Sequence, residues 1–91
     1  MQSIHHYING QHVKSEGSNC CAIFNPATGE QTAELSLATV GDVGTAVKSA
    51  AAAQPAWAAV PPVRRARVIM RFLQLLNDNV EELALLISQE H

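Results

Sequence analysis

The side-chain pattern of the chain changes period once, at Thr39, and that switch restricts the fold more than any other feature. Before it, Thr32 and Glu34 alternate with Ala33 and Leu35, the two-residue period of a half-buried strand. After it, Val43, Val47, Ala50 and Trp57 recur at helical intervals, and Thr39 with Asp42 has the spacing of a capping box. Strands over about residues 5–37 are therefore followed by helices over about 40–91, an α+β order. With 91 residues, the chain can fill one small domain at most, because surface outweighs volume at this size.

Within the first part, Asn9-Gly10 lies between the strand-like flanks Tyr7-Ile8 and Gln11-Val13. Both residues of that pair tolerate the positive φ of a type I′ turn, so a tight hairpin is predicted. Lys14 to Asn19 is polar and contains Gly17, the composition of a loop. A strand over Cys21–Phe24 and a returning strand over Gln31–Leu37 flank the turn Asn25 to Glu30. There Pro26 fixes φ and Gly29 accepts a left-handed backbone. The predicted β part is thus a small antiparallel hairpin region.

Two or three amphipathic helices are predicted to follow. The first is alanine-rich, weakened early by Gly41 and Gly44, and Pro55 predicts a kink or an end near Gln54. Pro62 suits the first position of a second helix, since its missing N–H would have had no intrahelical partner. Ala66, Ile69, Met70, Leu73, Leu76 and Val80 trace one apolar stripe on it. Asn77 to Asn79 marks a break, after which Asn79 and Glu82 have capping-box spacing for a third helix, whose apolar face is Leu83, Ala84 and Ile87. That helix has no stop signal before His91, so the chain is expected to continue in a longer protein.

Composition excludes several classes. Hydrophobic residues at 47% are too many for a disordered tail, and polar interruptions leave no membrane span. A net charge of −2 does not draw nucleic acid or an acidic membrane surface to the chain as a whole. Cys20 and Cys21 are sequence neighbours, a poor geometry for a disulfide, and Met1 to Asn9 lacks the pattern of a leader, so cytoplasmic residence is expected.

The residues able to carry chemistry are few. His5, His6 and His12 cluster, yet no carboxylate or thiol lies at a metal-site spacing beside them, and they read as solvated strand-end side chains. Cys20 and Cys21 lack a helix start or basic neighbour that would make a thiolate, and read as packing or surface thiols. Arg64, Arg67 and Arg71, with Arg65 beside them, form a basic stripe that reads as a solvated face, the alternatives being ion pairs with a larger protein or an anionic ligand. Glu81, Glu82 and Glu90 are not paired for acid–base work, and Gly10, Gly17, Gly29, Gly41 and Gly44 form neither a dinucleotide fingerprint nor a phosphate loop. No residue is assigned a catalytic, cofactor-binding or metal-binding role.

Tyr7-Ile8-Asn9-Gly10, then Phe24-Asn25-Pro26-Ala27-Thr28-Gly29-Glu30, then the Ala46-Val47 helix reaching Trp57 resemble the opening of the aldehyde dehydrogenase superfamily. Gln54-Pro55-Ala56-Trp57, Arg64-Arg65-Ala66-Arg67-Val68 and Ser88-Gln89-Glu90-His91 are similar to its CoA-acylating methylmalonate-semialdehyde dehydrogenases. The resemblance spans essentially the whole chain. It implies the N-terminal part of the NAD-binding domain of a much longer polypeptide, which continues past His91 and forms a homo-oligomer. It also implies a reaction in which a cysteine attacks the aldehyde, hydride passes to NAD, and the acyl group leaves on CoA with loss of carbon dioxide. In the family the nucleophile, the oxyanion donors and the cofactor site all lie downstream, and Cys20 and Cys21 do not match the nucleophile motif. The catalytic domain is thus expected to be absent and the chain alone inactive. The alternatives are an interaction module that docks on a larger dehydrogenase, and a non-functional truncated gene product.

One Trp, one Tyr, two Phe and many alanines cannot fill the apolar faces of these helices among themselves. A marginally stable chain with exposed apolar patches is the physical expectation, its natural cover being the rest of the dehydrogenase.

Overall fold

The computed structural model describes residues 2–91. Five strands, β1 (Gln2–Ile4), β2 (His6–Ile8), β3 (Gln11–Val13), β4 (Cys20–Phe24) and β5 (Gln31–Ser36), precede three helices, α1 (Val40–Ala59), α2 (Pro62–Asp78) and α3 (Val80–Glu90). The α+β order read from the period switch is the order observed.

β2 and β3 pair antiparallel as a separate ribbon, with Ile8 opposite Gln11. Asn9 at φ 54° and Gly10 at φ 73° supply the two left-handed residues of the turn. β4 and β5 form the second hairpin, closed by Asn25 N–H donating to Glu30 O at 2.9 Å and Gly29 N–H to Asn25 O at 2.8 Å. Gly29 sits at φ +73° with open space where a Cβ would project, so its requirement is backbone conformation alone. β1 was not anticipated. It adds to β5 in parallel, Ser3 opposite Glu34, and makes a three-stranded sheet in the order β1-β5-β4.

At the start of α1 the reciprocal cap is complete: Asp42 N–H donates to Thr39 Oγ1 at 3.1 Å, and Thr39 N–H donates to Asp42 Oδ2 at 2.9 Å. Of the kink or end expected near Gln54, the end is not found. The helix runs through Pro55 to Ala59 and closes with Val60 N–H on Trp57 O at 3.1 Å. A proline removes one donor, and the alanine-rich turns on either side keep the helix going across the gap. The expected capping box at Asn79 is likewise absent. The Asn79 amide instead donates backwards to Leu75 O at 2.8 Å, closing α2, while α3 starts without a side-chain cap.

The interior is almost empty. Ala33, at the centre of the three-stranded sheet, is the one buried hydrophobic residue among those described. The chain exposes 7416 Å², whereas a folded monomer of its mass exposes about 5,200 Å². Its radius of gyration is 16.9 Å against roughly 12 Å for a compact chain of this length, in a slab of 48 × 34 × 15 Å. α3 approaches β4, and α2 packs extensively on no other element.

The exposed side chains of α2 also widen the single stripe. Successive residues turn by 100°, which places Ile69, Leu73, Leu76 and Met70 on one broad side. Val68, Phe72 and Leu75 continue that side, Phe72 lying about 40° around the axis from Leu76, and the whole apolar arc stands in solvent. Arg64, Arg67, Arg71, Gln74 and Asp78 fall together on the opposite side, so α2 is an amphipathic helix with one wide apolar face.

Candidate functional site

Asp42 is the one buried carboxylate among the described residues, and it holds three segments together. Beyond the cap of α1, its Oδ2 accepts from Ser15 Oγ at 2.6 Å and its Oδ1 from Glu16 N–H at 3.1 Å. Ser15 has one hydroxyl proton and two acceptors in reach, Asp42 and Leu37 O at 3.0 Å. The shorter bond to the charged oxygen takes it. Gly17 N–H then donates to Ser15 Oγ at 3.1 Å. The Ser15 hydroxyl first, then the Thr39 and Glu16 N–H groups, hold the Asp42 carboxyl well below the ordinary carboxylate range, against the opposing effect of burial. The result pins the 15–17 loop to the start of α1. A substrate-facing acid or base needs free lone pairs, and three of the roughly four that a carboxylate offers are occupied here.

His6 comes nearest to joining this network. Its Nε2 lies 3.5 Å from Asp42 Oδ2, beyond a good hydrogen bond, and is a buried nitrogen without a partner among the described residues. The other two histidines of the cluster are elsewhere: His5 Nδ1 pairs with Ser36 Oγ at 3.2 Å, and His12 meets the Tyr7 ring edge-on at 5.1 Å. Sequence proximity thus does not become a shared coordination sphere. Among the described residues, no group of three or more His, Cys, Asp or Glu is placed to hold a metal ion.

Cys20 and Cys21 are exposed and free. Their sulfurs reach Ser18 O and Ala22 O at 3.7 Å, and neither contacts a base that could activate it. An open hollow of about 690 Å³ lies beside Cys20, lined also by His5, Lys14, Glu16 and Glu34 among others. Charges of both signs share it, with no set of donors converging on one point. On α2, Arg65 Nε donates to Val60 O at 3.0 Å, while Arg64, Arg67 and Arg71 stand exposed without an ion pair among the described residues.

A dinucleotide site needs free N–H groups at a helix start following a strand. The single β-to-α crossing here is β5 to α1, where Thr39 and the Asp42 carboxylate already occupy the helix start and bring negative charge to it. These residues do not fit a pyrophosphate. What the chain does present is area: broad apolar sides on all three helices, exposed together.

The family profile described as the aldehyde dehydrogenase family matches residues 12–91. Over all 91 residues the chain is 43% identical to a malonate-semialdehyde dehydrogenase of Pseudomonas aeruginosa, covering 18% of that protein. It is 42% identical to one of Bacillus pumilus, covering 19%. Among solved structures, it superposes over its whole length, with a TM-score of 0.97 and 52% identity, on one described as a methylmalonate-semialdehyde dehydrogenase from Sinorhizobium meliloti complexed with NAD. A methylmalonate-semialdehyde dehydrogenase from Oceanimonas doudoroffii gives a TM-score of 0.94 at 44% identity. The chain covers 18% of each of these two structures, so it spans about a fifth of the length of the relatives it matches.

Proposed function

The chain belongs to the aldehyde dehydrogenase family, and from that premise we propose that it is the N-terminal portion of an NAD-dependent, CoA-acylating semialdehyde dehydrogenase. The substrate class is a short carboxylated semialdehyde. Methylmalonate semialdehyde is the choice favoured by the names of both structural neighbours, with malonate semialdehyde, one methyl smaller, named for the curated relatives. In the intact enzyme, semialdehyde, CoA and NAD give acyl-CoA, carbon dioxide and NADH.

The observation that carries this reading is an open shape matching a segment of a longer chain at a TM-score of 0.97. A slab with one buried hydrophobic residue among those described has no reason of its own to keep that shape. It keeps it as part of something larger.

Within that enzyme this segment is scaffold. The start of α1 does not fit the pyrophosphate of NAD, and we assign these residues no catalytic, cofactor or metal role. β1 to β5 form the strand region and α1 to α3 the helical cover of the cofactor domain, with the rest of the polypeptide as partner and a homo-oligomer as the working state. Among the described residues no helix is long and apolar enough to cross a membrane. A cytoplasmic location belongs to the same proposal. The uncovered helix sides also favour a second reading, in which the chain docks in trans on a larger dehydrogenase.

The test is NADH formation from methylmalonate semialdehyde and CoA. The chain alone should give none. Mixed with a Sinorhizobium meliloti dehydrogenase polypeptide lacking the matching segment, it should restore turnover. Activity of the chain alone, or no binding and no activity in the mixture, would refute the reading.

A further inference from the structure

We infer that His6 and Asp42 form a proton-driven latch, in which a protonated His6 ring draws the β2–β3 ribbon onto the start of α1 and a neutral ring releases it. The latch is built from this chain's own residues and does not depend on the function proposed above.

An orphaned atom points to it. His6 Nε2 is buried, has no hydrogen-bond partner among the described residues, and stands 3.5 Å from Asp42 Oδ2. A bare nitrogen lone pair there would set an acceptor against an acceptor, so the single ring proton of a neutral His6 belongs on Nε2. At that distance its contact with Asp42 is weak. A second proton, on Nδ1, makes the ring a cation and the same contact charge-assisted, with a preferred separation of about 2.7–2.9 Å. Closing from 3.5 Å to that range asks for a movement of roughly 0.6–0.8 Å. Asp42 Oδ2 already accepts from Ser15 and Thr39, but the Ser15 hydroxyl has a second acceptor in Leu37 O at 3.0 Å and can turn to it as the imidazolium arrives.

The ribbon can supply the movement. β2 pairs only with β3, in a sheet separate from β1-β5-β4, and one residue, His5, joins it to β1. His5 is itself held to β5 through Ser36 Oγ, which fixes the chain immediately before His6. Between ribbon and helix lies a hollow of about 250 Å³, lined by His6, Tyr7, Ile8, Asp42 and Val43 among others, so there is room to close.

The charges around His6 favour the cation. From α1 it faces Asp42, whose ionised form is held by the donors described above. From the 15–17 loop, the Glu16 carboxylate lies over Gly41 at the same helix start. On the ribbon, Tyr7 is the other titratable side chain on the hollow, and Val13 is the residue opposite His6 on β3. His5 and Lys14 line the other hollow, beside Cys20. The start of α1 opposes a cation with roughly half a positive charge, and the full negative charge of Asp42 outweighs it. Histidine changes charge between about pH 5 and 8, so a contact that tightens on gaining a proton holds on the acid side of that range and is lost as pH rises through it.

The test compares NMR spectra of the full 91-residue chain at about pH 5 and pH 8. Cross-relaxation between the His6 ring and the Val43 methyls should strengthen at the lower pH, and the Glu16 amide, which donates to Asp42, should shift with it. His6→Gln keeps a side-chain N–H but no titrating charge, and should abolish both changes, whereas His5→Gln should keep them. In thermal unfolding, going from the higher to the lower pH should raise the midpoint of the parent chain by about 4–8 °C more than that of His6→Gln, the mark of a roughly fivefold change in the folding equilibrium. Equal pH responses of the parent chain and His6→Gln overturn the latch. So does a His6 ring without contact to Val43 at both pH values, or a response that His5→Gln removes and His6→Gln leaves.

Discussion

Leu73 stands on the broad apolar side of α2 and is 56% exposed, on a helix that packs extensively against no other element. Complete burial of a leucine is worth about 1.5–3 kcal/mol, so roughly half of that, about 1–1.5 kcal/mol, becomes available only when a partner covers it. Truncation to alanine within the assembled protein also leaves a cavity, bringing the cost to about 2–3 kcal/mol, near the lower end of the range for buried leucines. In the isolated chain there is no cavity to leave. There the change should fall within about 0.5 kcal/mol, alanine being the slightly better helix former. Urea unfolding followed by circular dichroism measures the isolated chain, and titration with the complementary dehydrogenase polypeptide measures the assembly. The expected pattern is an unchanged midpoint alone and affinity lowered about 30- to 150-fold in the mixture. A loss of 2 kcal/mol or more in the isolated chain would show that α2 is already packed, and would refute the account of the exposed faces.

Three further outcomes follow from local chemistry. Thr39→Ala removes the acceptor of the Asp42 N–H and should cost about 1 kcal/mol with a visible loss of helical ellipticity, while Thr39→Ser should retain most of the cap. Asp42 has a folded-state pKa depressed below its ordinary 3.8, so its contribution is complete above that value and is lost as pH falls further. An acid titration of ellipticity should show a transition below pH 3.8 that Asp42→Asn abolishes. Pro55→Ala restores a donor inside α1 and should raise helix content and stability by about 1–3 kcal/mol, read by thermal unfolding.

What could be read in advance follows a physical boundary. Asn9-Gly10, the Asn25–Gly29 turn and the Thr39–Asp42 cap each act over two to five residues, and each appears as read. The helix end expected at Pro55 is not found, because a proline removes a single donor and the alanine-rich turns that bracket it carry the helix on. Asn79 was misassigned because one side chain lies within reach of two helices, and spacing cannot say which end it closes. Val68, Phe72 and Leu75 stand in the letters as the continuation of the stripe that Ile69, Leu73 and Leu76 mark.

The chain alone therefore determined its turns, its helix starts and the oily sides of its helices, because those depend on backbone sterics and on neighbours a few positions away. Tertiary structure decided the rest. β1 found β5 about thirty residues along the chain, and Asp42, identified in the letters only as a cap, acquired Ser15 and Glu16 from a loop more than twenty residues earlier. Such pairings must overcome the entropy of closing a long loop, and their gain comes from burial and satisfied hydrogen bonds that no local pattern records. The oily side of α2 stands exposed in these 91 residues, and in the proposed reading the rest of the dehydrogenase covers it.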